Sequence, residues 1–433
     1  MNDLYKLRNK VRHYDWGSPV DIPRLLGITT DGAPWAELWI GSHSGFSSIV
    51  APDSGETSLE ELIAGDPRRF LGEDTAQRYG TLPFLLKLLA AEKPLSIQAH
   101  PNKAQAREGF ERENQAGLPL DSPKRNYKDA NHKPEIICAL SPFTGLCGFR
   151  GVDDIRALLG AFLEHAPPVL REEFLPLTHK LSNRDPLRDF LAGLFMLSRE
   201  AREALTEYIL SPQKPPLPPR TYELELMRDL ARLYPGDPAV IAPLYLNIFR
   251  LEPGEAVFLE AGVLHAYIHG FGVELMANSD NVLRGGLTPK HIDVPELIKI
   301  LVFKPFKPLI ITPNSTIFNY PTPCEEFSLT RICGPADICL WSPGGPSICI
   351  VTEGELIIAV EDRETVVKQG ESLFILPVKN GESPLSLKGS FTLFIASTGR
   401  AASTGRAASI GRAASCGLQA MSNEQRKKHE NTG

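Results

Sequence analysis

The stretch "PGEAVFLEAGVLH" (residues 253–265) finds an echo in "QGESLFILPVKNG" (residues 369–381). Both hold Gly-Glu, a small residue, two apolar positions around a Phe, and then a turn. Overlaid without gaps, at an offset of 116 residues, they read as two copies of one β unit. Around them recur short strand-like runs divided by Gly and Pro: "WAELWIGS", "KPEIICAL", "SICIVTEGELIIAV" and "FTLFIAS". That spacing predicts a mainly β chain of jelly-roll barrels. The overlay sets Gly381 where His265 stands, and no histidine occurs between His291 and His429. Only the first barrel can therefore carry a histidine metal site.

Residues 151–245 break this pattern. In "VDDIRALLGAFLEHA" the positions Ile155, Leu158, Leu159, Phe162 and Leu163 follow the spacing of one buried helical face. "DPLRDFLAGLFMLS" offers Asp185 as cap and Pro186 at the first helical position. "YELELMRDLARLY" forms a third helix, ended by Pro235–Gly236. The expected organisation is a first barrel from residues 1–150 plus 246–320, a helical insertion at 151–245, and a second barrel at 321–396. Residues 397–433 carry a six-residue repeat, "STGRAA", with no apolar periodicity, and read as a disordered low-complexity tail.

Bulk properties narrow the class. The 433 residues are 42% hydrophobic and 23% charged, the balance of a soluble globular protein. The first seventeen residues hold no apolar run like a secretion signal, and no stretch approaches the roughly 18 apolar residues of a membrane span. A cytoplasmic location with no membrane partner is expected. The net charge of -6 argues against a nucleic-acid partner. An anionic ligand would need a local cationic cluster, because the global field opposes it. Seven cysteines without a C-x-x-C pair read as buried free thiols.

Three segments carry chemistry. In "LSIQAHPNK" (95–103), Gln98 and His100 are two apart and so share a strand face. In "NHKPEIICAL", Pro134 holds Lys133 extended, which puts Lys133 and Glu135 on one face. Such a pair is commonly a surface ion pair of little consequence. In "AGVLHAYIHGFGVELMANSD", His265 and His269 share a face, with Glu274 beyond them. A histidine among apolar residues is more often a packed core residue than a ligand. Taken together, however, Gln98, His100, Glu135 and His265 form an N/O donor set without cysteine, which favours a catalytic over a structural zinc site. Finally, "NSDNVLRGGLTPK" sets Arg284 and Lys290 about two glycines and a turn. These two cations suit a phosphate, although a solvated loop would read alike.

Together, "KPLSIQAHP", "NHKPE", "HAY" and "NSDNVLRGGLTPKHID", with "YDWGS" and "AELWIGSHSG" nearer the start, resemble type I mannose-6-phosphate isomerase. The likeness spans residues 1–396, with the motifs in family order. It implies cupin-like jelly-roll barrels with a helical insertion and a second, metal-free barrel. It further implies one Zn2+ per subunit held by Gln98, His100, Glu135 and His265. Arg284 matches the family's active-site arginine, while Lys133, Glu274 and Lys290 match positions lining its substrate cleft. Ser96 and Lys87 match by their offset from Gln98. Trp16 follows as a substrate contact in "RHYDW", a looser version of the opening motif. His269 matches no family ligand.

The implied reaction interconverts mannose 6-phosphate and fructose 6-phosphate through a cis-enediol. Lys133 is the expected base or relay, since a neighbouring cation and desolvation both favour a neutral amine; Glu274 is its rival. Histidine ligands must be neutral, so activity is expected to fall below about pH 6. A metal-dependent oxygenase and a non-catalytic sugar-binding cupin are the alternatives. The Gln ligand and the Arg284/Lys290 pair weigh against the first, and the intact metal, base and arginine set against the second. A monomer is favoured.

Overall fold

A computed structural model describes residues 4–51, 55–212, 221–341, 345–360, 363–377 and 385–399. The repeat tail expected to be disordered lies almost wholly outside them. Among the described residues two large β-sheets and a helical unit account for the fold.

The first sheet is organised by one long strand, His265–Ala277. Its first half pairs with Ile97–Ala99 and Phe143–Phe149, and its second half with Glu135–Ala139 and Phe84–Ala91. The change of partners falls at Gly270, whose φ is +132°. A Cβ there would stand 2.8 Å from the Phe143 backbone, so only glycine lets the strand turn from one layer to the other.

Period-two alternation then divides the sheet into two faces. Leu38, Leu86, Leu88, Ile136, Val273 and Leu275 point outward into a buried cluster shared with Ile348, Ile350, Phe374 and Phe394 of the second sheet and with Phe327 just before one of its strands. The opposite face points into the first barrel and carries Trp39, Lys87, Glu135 and Glu274.

In the second sheet the central strands are Ser347–Val360 and Leu385–Ser397, and its interior is aliphatic. Two strands depart from the expected division. Leu4–Leu7 pairs with Ser372–Ile375, and Ile317–Tyr320 pairs with Ser328–Cys333. Both ends of the stretch assigned to the first barrel thus complete the second sheet. Edge pairing satisfies their backbone groups there, a long-range contact that local pattern does not encode.

The described part of residues 151–245 forms a helical unit. Its helices include Val152–Leu163, Pro168–Lys180, Pro186–Phe195, Arg199–Leu210 and Thr221–Leu233. All five predicted positions from Ile155 to Leu163 are buried. Asp185 occupies the N-cap position before Pro186, but its side chain makes no capping hydrogen bond. This unit packs on the back of the first sheet, against Ile97, Ala99, Leu264, Ala266 and Leu283. Those residues flank Gln98, His265 and Arg284, so the helices hold the strands that present them. No described helix is long and apolar enough to cross a membrane. Five cysteines among the described residues are free thiols; Cys138, Cys147 and Cys349 are buried as expected, while Cys324 and Cys333 are only partly buried.

Candidate metal centre

Strand register brings the distant motifs together. Gln98 lies directly opposite His265 on one side and Arg284 on the other. Residues opposite one another in antiparallel strands present their side chains to the same face. His100 shares that face two residues on, and Glu135 enters from the next strand.

The donor atoms of His100, Glu135 and His265 all lie within 4.8 Å of one another, and all three side chains are buried. His100 Nε2 is 3.4 Å and His265 Nε2 3.3 Å from the same oxygen, Glu135 Oε2. The other ring nitrogens face carbonyls: His100 Nδ1 lies 2.7 Å from the Asn281 oxygen and His265 Nδ1 3.0 Å from that of Val263. A carbonyl only accepts, so each Nδ1 carries the proton and each Nε2 presents a lone pair. None of the three inward atoms has a hydrogen-bond partner. Three buried acceptors facing one another are unfavourable unless a cation sits among them. The residues therefore fit a divalent metal, with Gln98 on the same face as a further oxygen donor.

Glu135's second oxygen, Oε1, receives Lys133 Nζ at 2.9 Å. Burial raises the Glu135 carboxyl, but Lys133 and His100 outweigh it and hold the group well below the usual range. The acid is ionised and bridges the metal position to a lysine. Burial lowers His100 to about 4. The ring therefore stays neutral below the ordinary histidine value, the protonation state that binding a metal requires.

Deeper in the barrel, Lys87 Nζ lies 3.3 Å from Glu274 and 3.5 Å from Glu37, and 4.8 Å from the centre of the Trp39 ring. Trp39 Nε1 donates to Glu37. Burial pushes the Lys87 ammonium down, but Glu37, Glu274 and Glu135 more than reverse this and hold it above the ordinary lysine value. Lys87 is a fixed cation, unsuited to act as a base. Burial raises Glu274, with Lys87 opposing. Because Lys87 keeps Glu37, Glu274 can take a proton without leaving the lysine unpaired.

The remaining expected residues sit further out. Arg284 is half-buried, and burial lowers it from the usual arginine value. Lys290 is exposed; partial burial, then Arg284 and Lys128, lower it. Lys290 thus feels the charge of both Arg284 and Lys128, and Lys128 had no local signal in the sequence. The neighbouring glycines serve packing: a Cβ on Gly286 would collide with Ala239 of the helical unit, and one on Gly285 would press on Leu264. Ser96 lies two residues before Gln98 and is partly buried. Trp16 stacks on Tyr14 at 5.6 Å and packs against the barrel interior. No contact ties Ser96, Trp16 or Lys290 to the histidine cluster among the described residues. His269 is exposed, because a register shift between Tyr267 and His269 turns it away.

One pair was missed altogether. His43 Nε2 lies 3.3 Å from Asp280, whose carboxyl is raised by burial but drawn lower by His43, Lys133 and Lys87. "GSHSG" alone gave no sign that His43 meets a residue 237 positions on.

Fold and donor set together define a metal-binding protein of the cupin class. The family model described as phosphomannose isomerase type I, catalytic domain, matches residues 4–152. Over 402 residues the chain is 38% identical to the mannose-6-phosphate isomerase of Salmonella typhimurium, covering 89% of this chain and 97% of that one. It is 33% identical to the mannose-6-phosphate isomerase of Homo sapiens, covering 86% and 93%. A zinc-bound crystal structure of mannose 6-phosphate isomerase superposes with a TM-score of 0.82 at 35% identity, over 92% of this chain and all of the other. The chain belongs to the type I mannose-6-phosphate isomerase family and has the cupin fold.

Proposed function

We propose that this enzyme is a zinc-dependent isomerase that interconverts mannose 6-phosphate and fructose 6-phosphate through a cis-enediol. One observation carries the proposal: two histidine lone pairs and a carboxylate oxygen converge without partners, while a lysine sits on the carboxylate's other oxygen. His100, Glu135, His265 and Gln98 would hold the ion. Bound zinc supplies a Lewis acid that favours charge on the sugar's adjacent oxygens.

Every other task falls to the chain. Lys133 pairs with Glu135 as an ammonium; with a cation at the metal position the neutral amine is favoured, and in that form Lys133 would act as base or proton relay between C2 and C1 of the open-chain aldose. Its contact with Glu135 fixes the amine within hydrogen-bond reach of a sugar bound there. Glu274, with its raised proton affinity, is the second candidate for that proton. Arg284, beside Gln98, orients the open chain and steadies its developing negative charge. Arg284, Lys290 and Lys128 form the local cationic patch that a phosphate needs on a net-negative protein. Ser96 and Trp16 would wall the cleft.

The test is turnover of mannose 6-phosphate in D2O. Solvent deuterium at C1 of the fructose 6-phosphate formed, or at C2 of recovered substrate, supports the enediol route. Complete retention of the C2 hydrogen over many reversible turnovers, with no solvent deuterium in either sugar, counts against it.

A further inference from the structure

We infer that Glu326, on the second barrel, is a positioning residue for the isomerase centre of the first, acting through His132 on Lys133. The inference rests on the reading of Lys133 as a catalytic group.

Lys133 belongs to a segment with little backbone support. Asn131 is fixed through its carbonyl, which accepts from Asn281 Nδ2 at 2.8 Å, and the Pro134 carbonyl accepts from the Ala277 amide at 3.1 Å. Between them, no backbone hydrogen bond holds His132 or Lys133 among the described residues. Pro134 has no amide hydrogen and keeps Lys133 extended. In an extended segment neighbouring side chains leave on opposite sides. Lys133 goes inward to Glu135, and His132 goes the other way, to Glu326.

His132 Nε2 lies 2.8 Å from Glu326 Oε1. Lys103 Nζ reaches the same oxygen at 3.5 Å. Burial raises the Glu326 carboxyl, yet the hydrogen bond and charge of His132 bring it to about 2. An ionised carboxylate only accepts, so His132 Nε2 is the donor. Glu326 is itself anchored: Phe327, the next residue, is fully buried in the cluster between the sheets. The second barrel thus grips the segment from behind, and Lys133 is held in front. Misplacing a catalytic group by about 1 Å can slow turnover by ~10²-fold, so the grip bears on rate.

The experiment measures kcat, KM and zinc content for Glu326→Ala, Glu326→Gln and Glu326→Asp, each also combined with Lys133→Ala. Glu326→Ala is expected to lower kcat about tenfold or more, with KM and zinc content within about twofold of wild type. Glu326→Gln keeps an acceptor oxygen and recovers most of the rate, which a purely electrostatic role would not allow. In the Lys133→Ala background Glu326→Ala adds no further loss, because both act on one group. Glu325→Gln next door, exposed and paired with Arg78, leaves kcat unchanged. If Glu326→Ala does not fold, the shorter Glu326→Asp decides: a several-fold lower kcat supports the inference, and full kcat overturns it. Full kcat in Glu326→Ala beside an inactive Lys133→Ala sinks this inference alone, as does an equal loss in both backgrounds. A Lys133→Ala enzyme that keeps its turnover sinks both readings.

Discussion

The two barrels share one alternating pattern and differ in what they bury. The interior of the second is Cys349, Val351, Leu356, Ile358, Val367, Leu373, Leu387, Phe391, Leu393 and Ile395, each at most 3% exposed. The interior of the first includes Lys87, Glu135, Glu274 and His265, each at most 5% exposed. Burying a charge is costly unless it is paired. The most deeply buried charges of the first barrel have such partners: Lys87 has two carboxylates, and Glu135 has Lys133. Among the buried polar atoms without a partner, three are the histidine and glutamate atoms aimed at one another. A fold that can fill its interior with aliphatic side chains keeps unpaired acceptors only where something else completes them.

The sharpest way to break this contrast is at Glu135. Glu135→Ala, or chelation of the native enzyme, is expected to lower turnover by ~10³-fold or more, read in a coupled isomerase assay. Unchanged turnover would make the cluster a structural curiosity. Lys133→Ala is expected to lose ~10²–10⁴-fold in kcat with its metal retained. If Lys133→Ala is near normal and Glu274→Gln is dead, the base is Glu274.

Stability separates the barrels next. Lys87→Ala strands Glu37 and Glu274 in the interior and is expected to destabilise by ~3–5 kcal/mol in urea titration. Leu393→Ala in the second barrel opens a cavity worth ~2–5 kcal/mol, but the folded variant should keep wild-type kcat. A large fall in kcat there would deny that the second interior serves packing alone.

The smallest effect is on pH. His100 has its native affinity for protons lowered to about 4, below the ordinary value of 6.5. Between those values the unfolded chain binds the proton and the native state does not. Stability of the metal-free protein should therefore fall as pH drops from 6.5 towards 4, by up to ~1.4 kcal/mol per pH unit from this group. His100→Gln removes that contribution; an unaltered pH slope in the variant contradicts it.

Much of this contrast was legible in the residues. Spacing of two on a strand placed Gln98 with His100, and Lys133 with Glu135, because alternation is local. The absence of histidine between His291 and His429 is what led to the expectation of a metal site in the first barrel alone. Helical periodicity marked the insertion and its buried face. What local pattern could not carry was long-range register. Leu4 opposite Ile375, and Glu37 beside Lys87 and Glu274, follow from how sheets close, as does His43 beside Asp280. The glycines near Arg284 suggested a ligand, and Gly286 is also where Ala239 of the helical unit packs. A glycine's neighbour is invisible until the chain is folded.

The most direct check is the metal content of purified protein, by plasma mass spectrometry, for the native chain and His265→Ala. We expect one zinc per native chain and almost none in the variant, with isomerase activity lost in parallel. A native preparation at full activity without metal, or a His265→Ala protein that keeps its full equivalent, would contradict the account.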